Sequence, residues 1–471
     1  VRKHLLNVVR TFSSALRGKP KALHYIAMAL AVLLTGAASD RPSLAQAAKK
    51  GDKDALRTLL KQGAKVDAVE GDGTTALLWA SYRDDLESAD LLILAGAPVN
   101  AANDLGATPL WAASQNGSSA MVRRLLKAGA NPNLALQAGE TPLMVASRAG
   151  SVDVVGQLLA AGAHTDARGS RGQTALMWAA AEKHPDVVKV LLGGGADVKA
   201  RSSTYNEVMA VSPHGLLEYN RSIPHGNDTA LLFAVRAGDL ESAKLLVAAG
   251  GNVNDSDAWG VTATVLAAHS GFGDVVEFLL DKSADPNLAP PGFTALHEAI
   301  MRRDEKMVTT LLAHGADPGA PLRTWTPTRR ASNDFNFSPA LVGATPFWLA
   351  ARVTSPDIMR MLIDRGADPL FVHHADYVNG ESYERRREVT TALMAAVGMG
   401  GRVTPWLPPN RGQREALTLE AVKLAVASGV DVNAADLDGR TALDGAKALK
   451  YETVVKFLVE KGARSGAADR K

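Results

Sequence analysis

A threonine followed by Ala or Pro, and then most often by Leu, returns along this chain at a fixed step. Thr75-Ala-Leu77, Thr108-Pro-Leu110, Thr141-Pro-Leu143 and Thr174-Ala-Leu176 lie 33 residues apart. The threonine recurs at Thr229, Thr262, Thr294, Thr345, Thr391 and Thr441, each with an Ala five residues on, such as Ala80, Ala113 and Ala146. Gly63, Gly96, Gly129, Gly162 and Gly195 keep the same step. A period of this length means one small unit piled on copies of itself.

Residues 106–133 show the physics of a unit. Thr108 stands where a helix needs an N-cap, and Pro109 at the first helical position, where a missing N–H costs nothing. Leu110, Ala112 and Ala113 give a short helix with a small-residue face, and Asn116-Gly117 ends it. Met121, Val122, Leu125 and Leu126 form the apolar stripe of a second helix. Gly129 supplies the positive φ at its end, and Ala130-Asn-Pro-Asn133 turns the chain toward the next unit. Neither helix is long enough to persist alone. Stacking buries both stripes in one continuous core.

These motifs resemble the ankyrin repeat, a unit of about 33 residues with a T-P-L-H-x-A signature. The resemblance covers roughly residues 39–466 and implies an all-α solenoid of about eleven helix-turn-helix units with β-turn fingers. The unit from Leu44 to Gly63 lacks the Thr-x-Leu start and reads as an N-terminal cap; that from Thr441 to Gly462, rich in Lys and Glu, reads as the outer cap. The signature His survives only at His297. Leu78, Trp111, Met144, Met177, Leu232, Val265, Trp348, Met394 or Asp444 replace it elsewhere, so apolar packing mostly takes over its hydrogen bonding. Ser283 stands in for one of the loop glycines.

The period breaks at four places, read as insertions near 201–226, 321–342, 371–389 and 398–414. The first three share the phase of the finger, after the second helix; the fourth falls between two helices of one unit. They carry aromatic and cationic residues suited to interfaces, among them Trp325, Arg329, Arg330, Phe335, Tyr377, Tyr383, Arg385-Arg-Arg387 and Trp406. Binding a partner, packing back onto the stack and disorder remain alternatives for these loops.

The resemblance also implies binding through the fingers and the exposed surface of the first helices. Seven residues after each Thr, that surface would hold Tyr82, Gln115, Arg148, Ala181, Arg236, His269, Met301 and Arg352. Its Arg and aromatic members suit a protein partner with acidic groups. Solvated helix ends with no partner are the bland alternative. Trp79, Trp178 and Phe233 read as core or groove packing. His373-His374-x-Asp376 holds metal-ligand residue types, but adjacent side chains diverge and an ordinary polar loop is the simpler reading. His184, His214 and His225 read as surface residues.

Chemistry finds little support. The chain has no Cys, which excludes disulfides, thiolate metal sites and a cysteine nucleophile. No G-x-S-x-G, Gly-rich phosphate loop or H-E-x-x-H occurs, and no cofactor or metal is implied. The expectation is a non-catalytic interaction scaffold. A self-associating envelope component and an enzyme assembled from the insertions are the alternatives.

The net charge of +3 belongs to the beginning of the chain. Residues 1–39 hold six Lys and Arg and no acid; the remainder has 46 basic and 49 acidic residues. Nothing there points to nucleic acid. The basic stretch runs into 14 uncharged residues, Tyr25 to Ala38, ending in small ones, as a secretory signal does. Residues 1–38 are therefore expected to be a signal peptide, with an uncleaved anchor or an organellar transit peptide as alternatives. Residues 39–471 are expected outside the cytoplasm.

Overall fold

A computed structural model describes residues 43–210, 220–326, 337–379, 384–401, 407–408 and 410–466. The expected leader, residues 1–38, lies outside them. Among the described residues no helix is long and apolar enough to cross a membrane. The chain divides into two compact units at Gln137/Ala138.

Among the described residues the first unit holds three helix pairs: α1 (Leu44–Lys50) with α2 (Lys53–Lys61), α3 (Ala76–Tyr82) with α4 (Leu86–Leu94), and α5 (Pro109–Asn116) with α6 (Ser119–Lys127). The second unit continues with α7 (Pro142–Arg148), α8 (Val152–Ala160), α9 (Ala175–Ala181) and α10 (Pro185–Gly193). A hairpin of β1 (Tyr205–Ala210) and β2 (Asn220–His225) follows. Then come α11 (Ala230–Ala237), α12 (Leu240–Ala248), α13 (Ala263–Ser270), α14 (Gly273–Asp281), α15 (Ala295–Met301), α16 (Glu305–Ala313), α17 (Pro346–Arg352) and α18 (Pro356–Asp364). A second hairpin, β3 (Val372–Val378) and β4 (Arg385–Thr391), leads into α19 (Ala392–Ala396) and α20 (Arg411–Ala427). The last pair is α21 (Ala442–Leu449) and α22 (Glu452–Glu460).

Within each unit, first helices pack on first helices and second helices on second helices of the adjacent pairs. The sequence explains this local order. Thr75, Thr108, Thr141 and Thr174 accept a hydrogen bond at their hydroxyls from the N–H three residues on. Asp52, Asp85, Ser118, Asp239 and Asp304 do the same for second helices. The small faces, such as Ala112 and Ala113, and the stripes, such as Met121, Val122 and Leu125, are all buried. Gly117 and Gly129 take φ of +70° and +89° at the helix ends.

Three expectations need correction. The fold is not purely α, because 205–225 and 372–391 contain antiparallel strands, each in a two-stranded sheet. The fourth insertion, 398–414, is already helical from Arg411, where the Asn410 side chain caps α20 by accepting from the Gln413 N–H at 3.0 Å. Asp444, in the signature-His position, keeps the cap rather than surrendering it: its carboxylate accepts from the Thr441 N–H at 2.8 Å, as His297 Nδ1 does from Thr294 at 3.1 Å.

Candidate functional site

The first helices of the second unit carry a repeated arrangement. Arg148, at the end of α7, is paired with Glu140, one residue before the capping Thr141. Its guanidinium lies over the Trp178 ring of the next repeat, 5.3 Å from the centroid. Arg236, at the end of α11, pairs with Asp228, one residue before Thr229, at 2.8 Å and lies 5.7 Å from the Phe233 ring. Trp178 and Phe233 are half-buried, so each ring keeps an accessible part beside a neutralised cation. His269 Nδ1 is 3.2 Å from Glu298 Oε2. Glu298 is buried, and burial raises its pKa while His269 opposes the shift. Asp257 is shifted up as well, by burial first and then by Asp228.

In the first unit Tyr82 is half-buried, packs edge-on against Trp79 at 5.9 Å, and has its carbonyl held by the Asn116 side chain at 2.7 Å. Tyr82, Arg148, Arg236 and His269 thus stand on accessible first-helix surface.

Arg352 does not, which corrects the expectation for it. It is 3 % exposed, its Nε donates to the Gly400 carbonyl at 2.9 Å, and burial pushes its pKa down to about 10. The reason is the segment that follows it. The β3–β4 hairpin and residues 398–401 fold over the end of α17, where His373 lies 4.5 Å from Trp348 and Glu388 accepts from the Gly401 N–H at 2.8 Å. Met301 is buried too. Tyr377 is tied down by donating its hydroxyl to Glu388 at 2.8 Å, and burial with that carboxylate raises its pKa.

The His373-His374-x-Asp376 segment is a strand, not a loop. His373 is buried with Nε2 3.0 Å from the Val342 carbonyl, while His374 and Asp376 are exposed on the opposite face. Among the described residues no cluster of three or more His, Asp or Glu side chains could hold a metal. His225 sits on β2, stacked against Tyr205 at 5.5 Å. His184 Nε2 contacts the Arg148 carbonyl at 3.1 Å.

Trp325 is half-buried, and both ends of its segment pack back onto the array. Leu322 is fully buried; Phe337 is 1 % exposed, 5.4 Å from the Phe293 ring and 6.2 Å from His297. Arg329, Arg330, Phe335, Tyr383, His214 and Trp406 lie outside the described residues.

Glu140, Asp228 and Glu298 are the partners the sequence reading missed. A signal for the first two was present: where the residue before the capping Thr is acidic, as in Glu140 and Asp228, the residue eight further on is Arg. Glu298 was visible as a carboxylate at the place where other units hold Trp79, Val145, Trp178, Phe233 or Leu349.

Comparison with known proteins bears on this architecture. A family model described as ankyrin repeats (3 copies) matches residues 44–135, 111–202 and 231–321, and one for a single ankyrin repeat matches 342–371. A putative ankyrin repeat-containing protein of Treponema pallidum (strain Nichols) is 40 % identical over 90 residues, 19 % of this chain and 30 % of that protein. The mitochondrial disaggregase of Bos taurus is 33 % identical over 152 residues, 32 % of this chain and 20 % of its own. A putative palmitoyltransferase of Danio rerio is 28 % identical over 262 residues, 50 % of this chain and 36 % of its own. The chain spans about a third or less of the length of these relatives.

Proposed function

The chain belongs to the ankyrin-repeat family, and from that premise we propose that it binds a partner protein without chemistry of its own, through the first-helix face of the second unit. Ankyrin repeats generally mediate protein–protein interaction, and we read the eleven helix pairs among the described residues as eleven such units.

The observation that carries the proposal is the recurrence of a half-buried aromatic ring beside an Arg held by its own carboxylate, at Trp178/Arg148/Glu140 and Phe233/Arg236/Asp228. Aromatic and Arg side chains are the types that anchor interfaces. Mounted on helices, they lose little freedom on binding. Because the cations are already neutralised, the partner is selected by apolar and aromatic contact with these rings more than by negative charge. That revises the acidic partner expected from Arg148 and Arg236 alone.

Affinity capture tests the reading. The full chain and its Trp178→Ala, Phe233→Ala double variant are compared at equal melting temperature, with captured proteins identified by mass spectrometry. Loss of the same proteins from the variant is expected; their undiminished recovery overturns the proposal. Removing residues 321–342 is a poor test, since it deletes the buried Leu322 and Phe337. The export reading of residues 1–38 is tested separately. Cell fractionation with and without them should move the chain, and unchanged cytoplasmic recovery overturns it.

A further inference from the structure

The β1–β2 hairpin has two edges, and its sequence leaves only one of them open. Its register pairs Tyr205 with His225, Asn206 with Pro224, Glu207 with Ile223 and Val208 with Ser222. In an antiparallel pair, residues that exchange both main-chain hydrogen bonds alternate with residues whose N–H and C=O point outward. Pro224 has no N–H to exchange. The Asn206–Pro224 pair is therefore of the outward kind, and so is Val208–Ser222. On the β2 edge the outward positions include Pro224, which offers no donor and obstructs a neighbouring strand. On the β1 edge they include Asn206 and Val208, which carry a full set of donors and acceptors.

That edge is accessible and held in place. Tyr205, Asn206, Glu207 and Val208 are all exposed, Val208 at 68 %. Among the described residues the sheet contains β1 and β2 alone. The foot of the hairpin is anchored by Arg201, whose guanidinium donates to the Asn227 and Ser256 carbonyls at 3.0 and 3.2 Å and to Asp255 at 2.7 Å. Ser202 N–H donates to the Asp228 carbonyl at 2.9 Å. The Tyr205 ring stacks on His225 at 5.5 Å, and Arg171 lies 5.2 Å from its centroid. A strand added here meets backbone that is already extended, so little ordering entropy is spent on that side.

We propose that the open edge of β1 docks an extended segment of a partner protein as a third strand, one carrying Lys or Arg flanked by β-branched residues. Side chains alternate along a strand. Glu207 lies 3.5 Å from His225 Nε2 through one carboxylate oxygen and is still 48 % exposed at its side chain, so a cation on the incoming strand adds to that contact, while Asn206 and Val208 face apolar or β-branched residues on the other side of the ribbon. A second copy of β1 paired about Glu207 would set two carboxylates directly opposite, which is unfavourable. The proposal rests on the reading of the chain as a protein-binding array, but uses none of the side chains on which that reading is tested.

Amide hydrogen exchange of the full chain, followed residue by residue, tests it with a synthetic capped pentapeptide of the order threonine, valine, lysine, valine, threonine. Exchange at Asn206 and Val208 should slow about tenfold at saturating peptide, with Ser222 unchanged. Val208→Pro removes one outward N–H while sparing those bonded to β2. It should weaken the peptide about tenfold, the loss of a single main-chain hydrogen bond. Ser222→Pro, at the matching place on the blocked edge, should leave binding unchanged.

Unaltered exchange at Asn206 and Val208, or equal weakening by both proline variants, overturns the proposal. Slowing that grows with chain concentration in the absence of peptide overturns it in favour of a second copy. If the edge fails while Trp178→Ala, Phe233→Ala still abolishes partner capture, the array reading stands without this site. If the edge behaves as expected and the double variant captures normally, the first-helix reading fails instead.

Discussion

Ser283 and Gly162 occupy the same place in their repeats, just past the second helix, with φ of +66° and +83°. An L side chain in this region clashes with its own backbone, at a cost of about 1 kcal/mol or more. A Cβ on Gly162 would meet no heavy atom within 4 Å, so the cost of filling it is conformational alone. Gly162→Val should therefore destabilise by about 1 kcal/mol or more, and Ser283→Gly should stabilise by about 0.5–1 kcal/mol. Urea midpoints measure both, and an unmoved midpoint for either contradicts the left-handed assignment.

His297 makes a different residue-scale prediction. Burial holds its pKa at about 4, against an ordinary value of 6.5. As pH falls through about 6.5, the unfolded chain takes up a proton that the folded chain refuses. Stability is therefore complete above that pH, declines down to about pH 4 and levels off below it, by roughly 3 kcal/mol at most. His373 is shifted in the same direction by burial and adds to the decline. His297→Leu, the residue type that Leu78 and Leu232 supply in other units, should flatten the pH dependence of the urea midpoint between about pH 6.5 and 5.

Among the elements, the β3–β4 hairpin does most to change the surface. Strands 372–378 and 385–391 pair over the end of α17 and turn Arg352 from a surface residue into a buried one. Arg352→Ala strips the Gly400 carbonyl of its donor and should cost about 2–4 kcal/mol. Arg236→Ala breaks a pair whose Arg side chain is 44 % exposed and should cost less than about 1 kcal/mol. Thermal unfolding of the two variants checks the contrast. Equal small losses would mean that Arg352 is not enclosed. The helices themselves were legible from Thr caps, apolar stripes and glycines, because those signals act within one turn or one unit. The strands were not. Their pairing joins Val372 to Thr391 and Tyr205 to His225, and a short run such as His373–Val378 carries no alternation clear enough to mark it before its partner strand is known.

At the scale of the whole molecule, each of the two units spreads its stability over nearest-neighbour interfaces rather than one centre. Leu125 in the first unit and Leu311 in the second are both fully buried. Truncating either to Ala should cost about 2–5 kcal/mol where it sits. Because packing among the described residues of each unit joins adjacent helix pairs, each variant should displace the part of the urea transition that reports its own neighbours and leave the rest in place. Unfolding followed at probes in both units checks this, and a single transition moving rigidly in both variants argues against a chain of local interfaces.

The sequence alone determined the repeat, the placing of helix starts and ends, the buried stripes and the positions available on the first helices. All of these depend on contacts between residues a few positions apart or one repeat apart, and a strict period records such contacts directly. Only the tertiary structure decided which of those positions remain accessible. Arg148, Arg236 and His269 stay within reach and are matched by Glu140, Asp228 and Glu298, whereas Arg352 is enclosed. The difference arises because burial and pairing depend on segments that break the period, and a residue's exposure is set by what folds over it rather than by its own place in the repeat.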